Sequence, residues 1–406
     1  MLLRARILLP VTAPPIENGG VLVRDGRIVA SGRWPEVCAL ASGDEIIDLG
    51  NVILMPGLVN AHAHLEYTGL AGQFSGANGF TQWVRDINAS KQKFNRDTAT
   101  EQWLTGAAML VDSGTTTVAD VQTRVGTETA DPKLTALRVM PFIEMTGVIS
   151  RRAPVDLLTE ADTFLKGGGG YSPHSPYATM PGLLELTATQ AAENGRVVMI
   201  HVAESADEFE MFTQRCGPLY ELIASLGRPM EDCDGRTPLQ QVAKSGLLQK
   251  KTVLVHANYL TDDDVVLTGN SGASVVHCPS SHAFFEHEEF RCFDLKRSGV
   301  NICLGTDSLA TMNPEGGRAP ELNMLTEMRR FRLKHMDLMA RDVLAMATVN
   351  AARALGVAND LGSLQAGNKA DAIAIPYNGG LKLAEESILS SDARVEASFI
   401  NGRRIK

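Results

Sequence analysis

Two histidines separated by one residue, His62-Ala63-His64, close the apolar run that begins at Leu58. On an extended strand, side chains two apart point to the same side, so both imidazoles can reach one metal ion. By itself such a pair carries little weight. His201, however, ends the run VVMIH, His256 ends VLVH, and Asp307 ends ICLGTD. Taken singly, each histidine could be an ordinary core residue. Their shared placement at the ends of successive apolar runs makes them a set. Three uncharged imidazoles with one carboxylate suit a single divalent ion, zinc or iron(II), and leave a position for water. A metal of this kind lowers the pKa of bound water to about 7, which makes hydroxide available near neutrality.

Residues so placed need a scaffold that brings many strand ends to one face. From Pro56 onward apolar strands alternate with longer segments of helical spacing. The strands are read at 58–65, 115–121, 138–145, 170–177, 196–205, 252–260, 273–281 and 301–310. A segment such as 180–195, opened by Pro181 and closed by Gly195, has the punctuation of a helix, and 341–356 reads as the last one. Eight alternating units predict an α/β chain built as a (β/α)8 barrel, whose catalytic residues sit at the strand C-termini. Before the barrel come short apolar runs, with Asp25-Gly26 between two of them as a hairpin signal. The tail returns to short strands. We therefore expect a small β-sandwich made of residues 1–54 and 360–406, and a barrel over 55–359.

Bulk composition agrees with a folded enzyme acting on a small molecule. The 406 residues are 44% hydrophobic and 21% charged, enough for a large core and a hydrated surface. A net charge of -9 argues against nucleic acid as a partner. No stretch approaches the ~20 apolar residues of a membrane helix, and the opening MLLRARILLPV reads as a strand because Pro10 interrupts it. Six cysteines without C-x-x-C spacing suggest reduced thiols and a cytoplasmic setting. The oligomeric state, homo-oligomers included, stays open.

In chain order, PGLVNAHAHL, SPHSPY, HVAES, LVHANYL, HCPSSHAFF and LGTDS resemble the amidohydrolase superfamily, and GSLQAGNKADAIAI resembles the strand that closes its β-sandwich. The likeness spans nearly the whole chain. It implies metal ligation by His62, His64, His201 and Asp307. Two-metal members bridge their ions with a carboxylated lysine on the fourth strand, and GYSPHSPY contains none, so one ion is expected. In the deaminase branch the position of His174 contacts substrate, and His201 with Glu204 resembles that branch's ligand and proton shuttle. The HCPSSHAFF and His64-Leu65-Glu66 patterns look most like aminodeoxyfutalosine deaminase of an alternative menaquinone route.

The chemistry is consistent with this likeness. When hydroxide adds to the amino-bearing carbon of an aromatic ring, a ring nitrogen must take up a proton, which Glu204 can supply before helping ammonia depart. Asp307 and His256 could orient the attacking oxygen and accept its proton. Glu66, Trp83, Ser281 and His282 stand as candidate substrate contacts, with Phe284 and Phe285 placed to cover a bound ring, although each is equally readable as a plain loop or helix residue. Rival readings on the same scaffold are guanine, adenosine or thioadenosine-type deamination and triazine dechlorination, because loop contacts choose the leaving group. A non-catalytic binding protein would be expected to have lost a ligand, and none is missing.

Overall fold

The computed structural model describes residues 1–93, 95–123, 134–148, 152–165 and 168–406. The chain opens with β1 (Leu2–Leu8), β2 (Ile16–Arg24), β3 (Arg27–Arg33), β4 (Ile46–Asp48) and β5 (Val52–Pro56). The turn between β2 and β3 is Asp25-Gly26, both at positive φ (51° and 74°), as a two-residue hairpin turn of matching twist requires. From β5 the chain passes directly into the barrel strands. These are β6 (Leu58–Ala63), β7 (Thr115–Gln122), β8 (Arg138–Met145), β9 (Gly170–Pro173), β10 (Val198–Val202), β11 (Thr252–His256), β12 (Ser274–His277) and β13 (Asn301–Leu304). The tail adds β14 (Ala372–Pro376), β15 (Ala397–Ile400) and β16 (Arg403–Arg404).

All eight barrel strands are parallel and pair in sequence order. The ring closes through a bridge between Ala63 and Asp307. There the Asp307 N–H donates to the His62 carbonyl at 3.1 Å, and the His64 N–H to the Asp307 carbonyl at 3.3 Å. Closure of the barrel therefore brings Asp307 beside His62 and His64. Along each strand the side chains alternate between two cores. Ile200, Leu254 and Val275 pack outward against the helices. Met199, Val253, Val255, Val276 and Cys303 fill the interior.

The predicted helix at 180–195 is Pro181–Asn194, capped by Gly195 in the left-handed conformation. The predicted 341–356 helix is broken into Ala340–Met346 and Val349–Ala354. At the break the Ala347 carbonyl accepts from the Val59 N–H of β6 at 2.8 Å. That backbone bond draws the carbonyl to the barrel, and the second helix then packs Ala351 and Ala354 beneath the interior core.

The terminal strands form one sheet in the order β16-β15-β14-β5-β1-β2-β3, with β4 beside the start of β1. Alternation again serves two cores. Val52, Leu54, Ala372 and Ala374 face the sheet's own core with Leu3, Val21 and Phe399. Ile53, Met55, Ile373 and Ile375 face the barrel's outer core. The hairpin tips at Gly26 and Asn401 touch, so the sheet curls around its apolar side. Among the described residues no helix is long and apolar enough to cross a membrane, and all six cysteines are free.

A polar link joins the two units. Arg138, at the start of β8, donates to both carboxylate oxygens of Asp371, to Asn401 Oδ1 (2.7 Å) and to Thr117 Oγ1 (3.1 Å). Asp371 is 4% exposed and also accepts from the Asn401 N–H. Asp371→Ala strands a mostly buried guanidinium and should cost about 2–4 kcal/mol of stability. Urea unfolding followed by fluorescence checks this. A change below about 0.5 kcal/mol would show that the link carries no stability.

Candidate active site

Three imidazoles converge where β6 and β10 end. Nε2 of His201 lies 3.3 Å from Nε2 of His62 and 3.3 Å from Nε2 of His64. Asp307 Oδ1 stands 3.6 Å from His62 Nε2 and 3.8 Å from His64 Nε2. Ligand atoms around a tetrahedral ion at 2.0–2.1 Å lie about 3.3–3.4 Å apart, so the two spacings from His201 match such an ion, with Asp307 slightly further out. The donor chemistry agrees. Burial pushes His64 and His201 well below the ordinary imidazole pKa, leaving lone pairs rather than charges. His201 Nδ1 donates to the His174 carbonyl at 2.9 Å, which fixes the tautomer and turns its Nε2 lone pair inward. Burial opposes ionisation of Asp307, but the imidazoles of His62, His256 and His64 prevail and hold its carboxyl below the usual range. Thr311 Oγ1 donates to its other oxygen at 3.1 Å.

Local backbone aims these groups. Gly305 lies where a Cβ would meet the His62 carbonyl at 2.8 Å, so the approach of β13 to β6 requires glycine there. Ala203, His256, Ala257 and Asp307 all have positive φ, at the ends of β10, β11 and β13. By strand parity His256 should face outward like Leu254. Its φ of 71° turns the ring back instead, with its centroid 5.5 Å from that of His201. Conformations of this kind in residues other than glycine store strain and cluster at functional sites.

Glu204 follows directly. Its Oε1 is 3.5 Å from His256 Nε2, and its carbonyl accepts from Asn258 Nδ2 at 2.9 Å. Its N–H donates to Glu208, a buried carboxyl pushed up to about 8 by burial. Burial, then Asp307 and Glu208, push the Glu204 carboxyl well above its ordinary value. Burial thus favours the protonated form of this carboxyl, the form that can act as a proton donor.

A cavity of about 650 Å³ opens over these groups. His64, His201, Glu204, His256, Asp307, His174 and Trp83 line it. The Trp83 indole is fixed by donation to the Ala310 carbonyl at 3.2 Å. Glu66, Ser281 and His282 do not line it. The Glu66 carboxylate is occupied by the N–H and hydroxyl of Thr123, at 2.9 and 2.6 Å. Ser281 is buried in the one-and-a-half-turn helix Pro279–Phe284, whose start is held by Ser280 donating to Glu327. His282 faces a separate cavity with His277 and His335, its Nε2 against the Glu288 carbonyl at 2.8 Å. Phe285 packs behind Trp83, 5.3 Å between centroids. Sequence reasoning missed Glu144, which ends β8 and lines the cavity; burial pushes its carboxyl up. The rule that strand ends carry the site would have found it. It also missed Asp120, the buried acceptor for Leu65 N–H and Trp103 Nε1 that fixes the turn after His64.

The Amidohydrolase family profile matches residues 53–405. The chain belongs to the amidohydrolase family. This amidohydrolase is 30% identical over 392 residues to a 5-methylthioadenosine/S-adenosylhomocysteine deaminase of Symbiobacterium thermophilum, covering 91% of this chain and 83% of that one. A 5'-deoxyadenosine deaminase of Methanothermobacter thermautotrophicus is 28% identical over 386 residues, covering 89% and 83%. In fold it is similar to Helicobacter pylori aminofutalosine deaminase in complex with methylthio-coformycin, at TM-score 0.85 and 17% identity over 100% of both chains. An adenosine deaminase of Xanthomonas campestris with bound zinc gives 0.81 and 22%, covering 99% and 92%. The amidohydrolase is thus a metal-dependent hydrolytic deaminase that cleaves a C–N bond.

Its site should hold about one equivalent of transition metal, because among the described residues one cluster of three or more ligand side chains converges. His62→Ala and Asp307→Ala should each lower both metal content and turnover, as read by elemental analysis beside an ammonia assay. Two equivalents, both needed for turnover, would overturn the single-ion assignment.

Proposed function

We propose that this amidohydrolase deaminates a 6-aminopurine nucleoside to its 6-oxo product, with aminodeoxyfutalosine the substrate favoured by its sequence motifs. The observation that carries the reading is the raised, buried carboxyl of Glu204, 3.5 Å from His256 and lining the same cavity as the ligands His64, His201 and Asp307. The relatives' names support the substrate class, since methylthioadenosine, S-adenosylhomocysteine and 5'-deoxyadenosine are all 6-aminopurine nucleosides altered at the 5' position. The cavity has room for more than a bare purine ring.

A zinc ion held by His62, His64, His201 and Asp307 would supply the Lewis acidity that ionises water near neutral pH. The chain's own groups carry the protons. Glu204 gives its proton to the ring nitrogen next to the amino-bearing carbon as the water oxygen attacks that carbon. His256 and Asp307 orient the oxygen and take up its proton. Glu204, now a carboxylate, takes the proton of the newly attached hydroxyl and passes it to the amino group, which leaves as ammonia as the C–N bond breaks and the carbon keeps the oxygen as a carbonyl; the proton held by His256 and Asp307 then restores Glu204. His174 and Trp83 lie where they can flank the ring.

Glu204→Gln should keep its metal yet lose at least ~10² in kcat, because an amide cannot shuttle the proton. Near-normal turnover would remove Glu204 from the mechanism, and loss of metal would make it a ligand. The substrate is tested by ammonia or chloride release from aminodeoxyfutalosine, adenosine, methylthioadenosine, S-adenosylhomocysteine, guanine, cytosine and a chlorotriazine. Aminodeoxyfutalosine should reach kcat/KM of at least ~10⁴ M⁻¹s⁻¹. Preference for guanine or cytosine would overturn the nucleoside assignment, and release of chloride alone would overturn deamination as well.

A further inference from the structure

Glu144 is buried at the end of β8 and lines the cavity, and its Oε2 has no hydrogen-bonding partner. Leaving a buried carboxyl oxygen unpaired is costly, and a substrate group that bonded to it would recover that cost. The ring of His174 faces it, with Nε2 at 4.0 Å, too far for a direct hydrogen bond. On the other edge of that ring, Nδ1 meets Ser175 Oγ at 3.0 Å. Ser175 Oγ accepts from the Ala178 N–H at 3.2 Å, and in the tautomer where its own proton goes to His174 Nδ1 the ring proton sits on Nε2. The pair thus presents one acceptor and one donor 4.0 Å apart.

An oxygen about 2.8 Å from both atoms would see them at an angle of roughly 90°, within reach of the lone pair and proton of one hydroxyl. A carbonyl or carboxylate has no proton for Glu144. An ammonium has no lone pair for His174, and an amino group on an aromatic ring has its lone pair delocalised. We propose that Glu144 and His174 clamp a single sugar hydroxyl of the substrate, which donates to Glu144 Oε2 and accepts from His174 Nε2. This rests on the nucleoside reading above and makes Glu144 a determinant of specificity for the ribose.

The test compares wild type, E144A and E144Q on adenosine, 2'-deoxyadenosine and 3'-deoxyadenosine, using metal-replete full-length protein. It is read as kcat/KM for ammonia release, and as inhibition constants of the same nucleosides against the best substrate of the panel. Wild type should lose about 10- to 100-fold on one of the two deoxynucleosides. E144A should lose a similar factor on adenosine but less than about 3-fold on that deoxynucleoside, because the contact is already absent there. E144Q, which keeps a carbonyl acceptor, should lose less than E144A, and it carries the comparison should E144A fail to fold. Equal losses on all three nucleosides would reduce Glu144 to a structural role and overturn the clamp. Unchanged constants on adenosine would overturn it too. Wild-type protein that neither turns over nor binds any nucleoside would overturn the function reading and the clamp together, and that result appears before any substitution is made.

Discussion

Nε2 of His201 lies 3.3 Å from Nε2 of both His62 and His64, and burial keeps the His64 and His201 rings uncharged, so a cation among these nitrogens would take up the lone pairs they turn toward it. Lone pairs aimed at one point repel one another unless a cation stands there. The site is therefore organised around a cation, and the surrounding structure can be understood as what fixes the lone pairs in place. The His174 carbonyl holds Nδ1 of His201, the backbone bridge of Asp307 to β6 holds His62 and His64, and Thr311 holds the Asp307 carboxylate. Removing any of these leaves the nitrogens present but misaimed, which is why ligands and their supports function as one unit.

The barrel suits this constraint because closure and ligation coincide. A sheet that failed to join β13 to β6 would separate Asp307 from two of the histidines. The strain at Ala203, His256 and Asp307 is confined to the strand ends, above a core of closely packed Val, Met and Cys side chains that does not share it. Chemistry occupies the rim, and stability comes from the layers below.

Much of this was legible in the sequence, for identifiable reasons. Buried parallel strands read as apolar runs, so β6 to β13 and the polar residues that end them stood out together. Residues whose direction depends on φ were harder. His256 ends its strand and so reads as a site residue, whereas parity alone points its ring outward with Leu254. Ser281 and His282 follow the end of β12, but the short helix there buries Ser281 and turns His282 toward another cavity. Glu66 lies beside His64 yet is consumed by Thr123. The helix break at Ala347 depends on a backbone bond to Val59, far away in sequence, which no local pattern encodes.

The alternation of β5 and β14 has a consequence for how the chain comes into being. Each strand sends one set of side chains into the barrel's outer core and the other into the terminal sheet, and the two strands pair along their whole length. During synthesis β5 leaves the ribosome hundreds of residues ahead of β14. Until that late segment arrives, β5 presents an open hydrogen-bonding edge and apolar side chains on both faces, a template for any other extended chain. The nascent protein must carry this vulnerable edge through most of its translation, so its yield in a cell depends on how well the early segments are sheltered while the rest is made.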